Sequence, residues 1–401
     1  MDRLTSAKLE QASRLVGRAG VDLWMTFVRE TAEGSDPVLP LILEGGLTWP
    51  SALIVDREGR RIAIVGTFDA DPLRASGDWH EVIAYDQSIR EPLLDVLRRS
   101  LDHLDHAPRI GVNFSTSDSK ADGLTHGMYR LLTSYLRDTP FEGTLVSAEE
   151  ITSALRSQKT EEEIGRIRAA IDETERLFEE VGRMAAVGVS EREIFDTVQE
   201  RIDERHLGYA WDRAGNPIVN TGPDSMIGHG IPSADIRIRP GHILHLDLGV
   251  IRNGYSSDMQ RCWYVAAEGE TEIPKDVTRA LTAVVGAIEA GFERLRPGVP
   301  GWRVDAAARE AIQGAGYPEY RHATGHQVGR LGHDGGAILG PRWERYGNTP
   351  ELPLTSNQVF TLELGVWVEG RGYLGLEEMV RITEAGAEWL TDRQLALRRL
   401  G

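Results

Sequence analysis

Residues 242–265 read HILHLDLGVIRNGYSSDMQRCWYV, two apolar runs joined across Asn253-Gly254, a dipeptide suited to a tight hairpin turn. Asp247 interrupts the first run and Asp258 follows eleven residues later. That spacing suits facing positions on an antiparallel hairpin. Residues 359–383, VFTLELGVWVEGRGYLGLEEMVRIT, repeat the design, with Glu363 and Glu377 on adjacent strand-like runs around a glycine-rich turn. Between the two hairpins lies His326, in HATGHQVG. A carboxylate inside an apolar strand is costly unless it is paired or ligates a metal. Four carboxylates and one imidazole are a set able to hold two divalent ions roughly 3.5–4 Å apart. Oxygen-rich ligation with one nitrogen suits manganese, cobalt, zinc or iron(II). Taken singly, each of these residues reads as a bulge, an edge position or a satisfied core side chain. The five together, on two hairpins of one design, read as a site.

Outward from these hairpins, the chain is long enough for two or three domains at 401 residues and 44.4 kDa. Residues 1 to about 155 alternate helical and strand patterns, including the hairpin SALIVDREGRRIAIVG turning at Glu58-Gly59. From Thr160, an N-cap residue, a helical pattern runs for about seven turns, and a second helix follows with Ser190 and Glu193 in capping-box positions. The second half is richer in strands, with helices expected near 275–295 and 302–315. Domains are therefore expected at 1–157 and 158–401. Apolar residues make up 41% and charged residues 27%, the balance of a globular protein. The formal net charge of −17 disfavours nucleic acid and anionic membrane as partners. No run approaches the ~18 apolar residues of a membrane helix, and the polar start MDRLTSAKLEQ lacks the marks of a signal peptide, so a cytoplasmic location is expected. A lone Cys262 permits neither an intramolecular disulfide nor a thiolate cluster.

The order Asp247, Asp258, His326, Glu363, Glu377, in the contexts D-L-G, G-Y-x-S-D, T-G-H, T-x-E-x-G and E-[DE]-x-V, resembles the creatinase/prolidase/aminopeptidase P group of pita-bread metallopeptidases (M24). ALRSQKTEEEIGRIRAA looks like that family's entry into its catalytic domain. The resemblance implies an α+β fold, a pita-bread catalytic domain behind a smaller creatinase-like α/β domain. It implies an Xaa-Pro-type peptidase, an aminopeptidase P or a prolidase, with two divalent metal ions (manganese, cobalt or zinc, manganese favoured). In that family the match to Asp247 binds one metal, those to Asp258 and Glu377 bridge both, and those to His326 and Glu363 bind the other. A hydroxide between the metals attacks the scissile carbonyl, and Glu363 shuttles a proton. The same likeness puts His229 on the leaving-group side, His333 at the oxyanion, His322 in the substrate pocket and Arg261 behind Asp258 as its orienting partner. It also implies a homodimer whose N-terminal domain meets the partner's active site, and a peptide or small amide substrate. Relatives that act on osmolytes or cyclic amides, or as lyases, supply the alternative reading. His245 shares a strand face with Asp247 and reads as structural.

Departures from the family pattern cluster near the expected substrate site. Gly375 stands where proline peptidases usually carry arginine, Leu364 where proline is usual, and Gln260 where threonine is usual. His333-Asp334-Gly335-Gly336 replaces H-E-x-P, and GPRWERYGNTPEL, residues 340–352, is an insertion carrying Trp343. A glycine at 375 is expected to leave room there and to remove a cation. That predicts weak dipeptidase activity and a preference for longer peptides or a small amide, unless Arg330 or Arg371 compensates.

Overall fold

The computed structural model describes residues 3–32, 36–226, 228 and 230–400. The chain divides into two compact units, Met1–Arg156 and Ser157–Gly401.

The first unit is built on a six-stranded sheet of β1 (Leu23–Val28), β2 (Ser51–Asp56), β3 (Arg61–Gly66), β4 (Glu81–Tyr85), β5 (Ile110–Val112) and β6 (Leu145–Ser147), in the order β4-β3-β2-β1-β5-β6. The β2–β3 hairpin turns at Gly59, as its sequence predicts. Successive side chains of a strand point to opposite faces. Leu23 and Met25 accordingly join one buried cluster and Trp24 the other, so apolar layers cover both sides of the sheet. The helices Thr67–Ser76 and His126–Leu136 belong to this unit and were not apparent from the sequence; the first carries Pro72 in its interior.

The second unit opens with the helix Glu161–Met184. Thr160 accepts from the Glu163 amide and the Glu163 side chain answers to the Thr160 amide, with three glutamates in the first turn facing the positive end of the helix dipole. Ser190 and Glu193 cap the helix Glu191–Glu204 in the same way. The strands are β7 (Gly208–Tyr209), β8 (Ile218–Thr221), β9 (Ile243–Leu248), β10 (Val250–Arg252), β11 (Tyr255–Ser256), β12 (Met259–Val265), β13 (Val359–Val368), β14 (Gly372–Thr383), β15 (Gly386–Trp389) and β16 (Arg398–Leu400). The main sheet runs β13-β14-β12-β9-β8, with β15 on β14 and β16 on β12; β11-β10-β7 form a small second sheet. The helices Lys275–Phe292 and Gly301–Gly314 pack Val284, Ile288 and Val304 into one core with Leu362, Leu364, Leu376 and Val380. These leucines alternate along β13 and β14 with Glu363 and Glu377, so packing them turns both glutamates to the other face.

The two hairpins differ in register. Glu363 lies directly opposite Glu377. Asp247, however, lies opposite Gln260 and not Asp258. The turn at Asn253-Gly254, both with positive φ, closes the β10–β11 ribbon, and Asp258 falls just before β12 begins. Facing positions for the two aspartates, expected from their spacing, are therefore corrected by two residues. The ladder keeps one register through the turn, and eleven residues of separation do not match it.

Candidate metal centre

Because directly opposed residues share a face, the pairings Glu363–Glu377, Glu377–Gln260 and Gln260–Asp247 set four side chains in one row across β13, β14, β12 and β9. Three of the four are carboxylates. Asp258 joins from the end of β12, and His326 from a segment laid along the edge of β13. That segment is pinned by Thr361 N to His326 O at 2.9 Å and Glu363 N to Thr324 O at 2.7 Å. A Cβ on Gly325 would stand 1.9 Å from the Thr361 carbonyl oxygen, which accounts for glycine in T-G-H.

The five side chains converge. Asp247, Asp258 and Glu377 each offer an oxygen within 4.8 Å of the others, and so do the donor atoms of His326, Glu363 and Glu377. His326 donates Nδ1–H toward the Gln327 carbonyl at 3.3 Å, which turns Nε2 to the carboxylates. Nε2 lies 3.6 Å from Glu363 Oε1, 3.7 Å from Asp258 Oδ2 and 3.8 Å from Glu377 Oε1. These separations are long for hydrogen bonds and suit donors sharing an ion. Asp247 Oδ1 and Glu377 Oε1 are buried with no hydrogen-bond partner among the described residues. Buried carboxylate oxygens without donors are rare in proteins, and a divalent cation is the partner this donor set fits.

The electrostatics agree. Burial raises Asp247, Asp258 and Glu377 well above the carboxylate range, and neighbouring carboxylates raise them further. Burial lifts Glu363 to about 7, against a hydrogen bond from Gln260 that lowers it. Burial, with His333 next to it, lowers His326 to about 3, so the ring is neutral and able to ligate.

The other expected site residues fall out differently. His333 is exposed, its ring 4.1 Å from that of His326, and it forms a further metal-competent group with Asp258 and His326. The adjacent Asp334 is buried in an ion pair with Lys159 at 3.0 Å, which anchors the loop carrying His333. His322 donates Nδ1–H to the Ala323 carbonyl at 2.8 Å and burial lowers its pKa; it is not among the grouped ligands. His229 lies outside the described residues. Arg261 does not contact Asp258. Its guanidinium donates to the carbonyls of Gln260, Glu377 and Asp392 and to Glu378 Oε2. Strand alternation puts Arg261 on the face opposite Gln260, so it braces the backbone that presents Glu377.

Gly375 does not leave room. A Cβ there would lie 2.5 Å from Tyr373 Cε1, 2.8 Å from Gln260 Oε1 and 3.1 Å from His245 Nε2. Arg371 is engaged with Asp276, Gly241 and Tyr264, and Arg330 packs over the Tyr255 ring at 5.6 Å. In the inserted loop, Trp343 stacks on Tyr346, whose hydroxyl accepts from Ala323 N at 3.1 Å, beside His322. Gln260 and Tyr373 are the residues that sequence reasoning passed over. Gln260 stood out only as a departure from pattern, and nothing in the sequence singles out Tyr373.

A family model described as Metallopeptidase family M24 matches residues 165–384, more than half of the chain. The Xaa-Pro dipeptidase of Pyrococcus furiosus is 30% identical over 250 residues, covering 62% of this chain and 67% of that protein. The probable dipeptidase PepE of Mycobacterium tuberculosis is 33% identical over 245 residues, 60% of each chain. The aligned segment thus spans about two thirds or less of these curated relatives. The crystal structure of dipeptidase PepE from Mycobacterium ulcerans superposes with a TM-score of 0.74 at 22% identity, covering 100% of this chain and 99% of that one, and shows the α+β pita-bread fold with its smaller N-terminal domain. Among the described residues no helix is long and apolar enough to cross a membrane. With a divalent-metal donor set on that fold and the family pattern across its catalytic unit, the chain belongs to metallopeptidase family M24 and is a peptidase-type hydrolase.

Proposed function

We propose that the chain is an Xaa-Pro-type peptidase using two divalent ions, manganese favoured, held by Asp247, Asp258, His326, Glu363 and Glu377. The observation that carries this reading is the pair of buried carboxylate oxygens, Asp247 Oδ1 and Glu377 Oε1, that have no donor among the described residues and lie inside a cluster of ionisable groups. When bound, such ions lower the pKa of water and polarise a carbonyl oxygen. The protein's own residues supply the rest. Glu363, with its carboxyl raised to about 7, takes and returns a proton near neutral pH. His333, exposed beside His326, donates a hydrogen bond to the developing oxyanion. His322 lines the substrate side, backed by the inserted loop through Tyr346 and Ala323. His229 serves the leaving-group side. A homodimer is the assembly this reading carries.

The experiment is a substrate panel on manganese-loaded protein: an Ala-Pro dipeptide, an Ala-Pro-extended peptide and small cyclic amides. Hydrolysis of the Xaa-Pro bond is expected. The surroundings of Gly375 are filled by neutral groups, so kcat/KM should favour the extended peptide. A strong preference for the dipeptide would show that its carboxylate is recognised elsewhere. Cleavage of cyclic amides alone would overturn the peptidase reading.

A further inference from the structure

We propose that Gln260 is a positioning residue of the metal centre, a neutral amide that sets which oxygen of Glu363 and Glu377 faces the ions and that is itself oriented by His245. The inference rests on the metal-centre reading above. Gln260 sits between Glu377 and Asp247 in the four-strand row. Its Nε2 donates to Glu363 Oε2 at 3.0 Å and to Glu377 Oε2 at 3.2 Å. Both amide hydrogens are then committed. The other oxygen of each glutamate, Oε1, is the one that faces His326 Nε2. One amide thus sorts the four oxygens of two carboxylates into a held pair and a presented pair.

A side-chain amide turned end for end would put its oxygen against two carboxylates. His245 opposes that turn. Its Nε2 lies 3.0 Å from Gln260 Oε1, and with the Gln260 nitrogen committed, the ring nitrogen is the donor. Burial keeps the ring neutral, so with Nε2 protonated its Nδ1 is bare, and the approach of Asn220 Oδ1 to 3.1 Å is a packing contact and not a hydrogen bond. Tyr373 stands edge-on to His245, ring centroids 5.0 Å apart at 89°. It lies across two glycines, because a Cβ on Gly365 would meet its ring at 2.4 Å and a Cβ on Gly375 would meet it at 2.5 Å. The glycine at 375 is therefore the space in which Gln260, His245 and Tyr373 pack.

The test is calorimetric titration of Mn2+ into chelator-stripped protein, with kcat and KM measured alongside. Gln260→Met, close in size and without donors, should weaken Mn2+ binding at one site or both by roughly 10–100-fold, the range for residues that orient metal ligands. Gly375→Ala, which crowds Gln260 without touching a ligand, should act in the same direction. His245→Leu should also weaken binding, yet add little on top of Gln260→Met, since one acts through the other. Wild-type affinity in both Gln260→Met and Gly375→Ala overturns the inference, and so does a double variant whose loss is the sum of the singles. A wild-type protein that takes up no Mn2+ overturns the metal-centre reading and this inference with it.

Discussion

Glu377 and Glu378 are neighbours on β14, both buried, and their surroundings are opposites. Glu378 accepts from Arg261 at 2.9 Å, from Thr391 Oγ1 at 2.6 Å and from the Gln394 amide at 2.8 Å. Glu377 receives one bond, from Gln260 at 3.2 Å, and its other oxygen has no donor among the described residues. The face of the sheet decides the difference. One side closes around an ion pair within the chain; the other gathers carboxylates and leaves them for a cation. Burial of an acid is therefore not the sign of a site; what marks this one is several buried carboxylates converging with donors missing.

The largest effect that would break this contrast is catalytic. Glu377→Gln, nearly isosteric, should lower kcat/KM by on the order of a thousandfold or more and reduce metal content, while the metal-free Tm holds or rises because a repelled buried acid is gone. A metal-replete Glu377→Gln enzyme of near-native rate would remove Glu377 from the site. Glu378→Ala should do the reverse. It strands Arg261 in the interior, at a cost of about 3–5 kcal/mol, visible as a lowered Tm with metal stoichiometry retained in the folded protein.

A pH series sharpens the same comparison. A carboxyl raised in the folded state, as Glu363 is to about 7, binds its proton more tightly there than in the unfolded chain. Stability from that group is present below its ordinary pKa and is lost as pH rises toward 7. Asp247, Asp258 and Glu377 act in the same direction. A bound cation removes the penalty, so the Tm increase on adding Mn2+ should be larger at pH 8 than at pH 5.5. Equal increases at the two pH values would contradict a carboxylate-ligated metal.

The first unit offers the smallest and cleanest control. Asp36 is buried as deeply, and burial raises its carboxyl to about 6. Yet it accepts from Asn113 Nδ2 at 2.8 Å and from the Val38 amide at 3.0 Å. Asp36→Ala should cost about 1–3 kcal/mol through those unmet donors, with Mn2+ binding unchanged. Loss of metal in that variant would mean that donor satisfaction does not separate the two kinds of buried acid.

Much of this was legible in the residues. Acids within apolar runs mark Asp247, Glu363 and Glu377 because apolar neighbours fix a strand as buried and an acid there demands a reason. Caps mark the helix starts at Thr160 and Ser190 because their chemistry is local, complete within four residues. Arg261 was misplaced, behind Asp258 in place of Glu378, because its partner lies 117 residues away and on a face that only register assigns. The space at Gly375 was misread for the same reason, since it is filled from β12, β9 and Tyr373 and not by sequence neighbours.

By itself, then, the sequence pointed to side chains of a kind that can ligate a metal and to the burial of their strands, because these follow from side-chain chemistry and short-range periodicity. The tertiary structure alone decided that Gln260 and not Asp258 faces Asp247, that Gln260 holds one oxygen of each glutamate, and that glycine at 375 is a packing requirement. Those outcomes depend on strand register and on atoms brought together from distant parts of the chain, and a shift of one residue along a ladder would have sent every one of them to the other face.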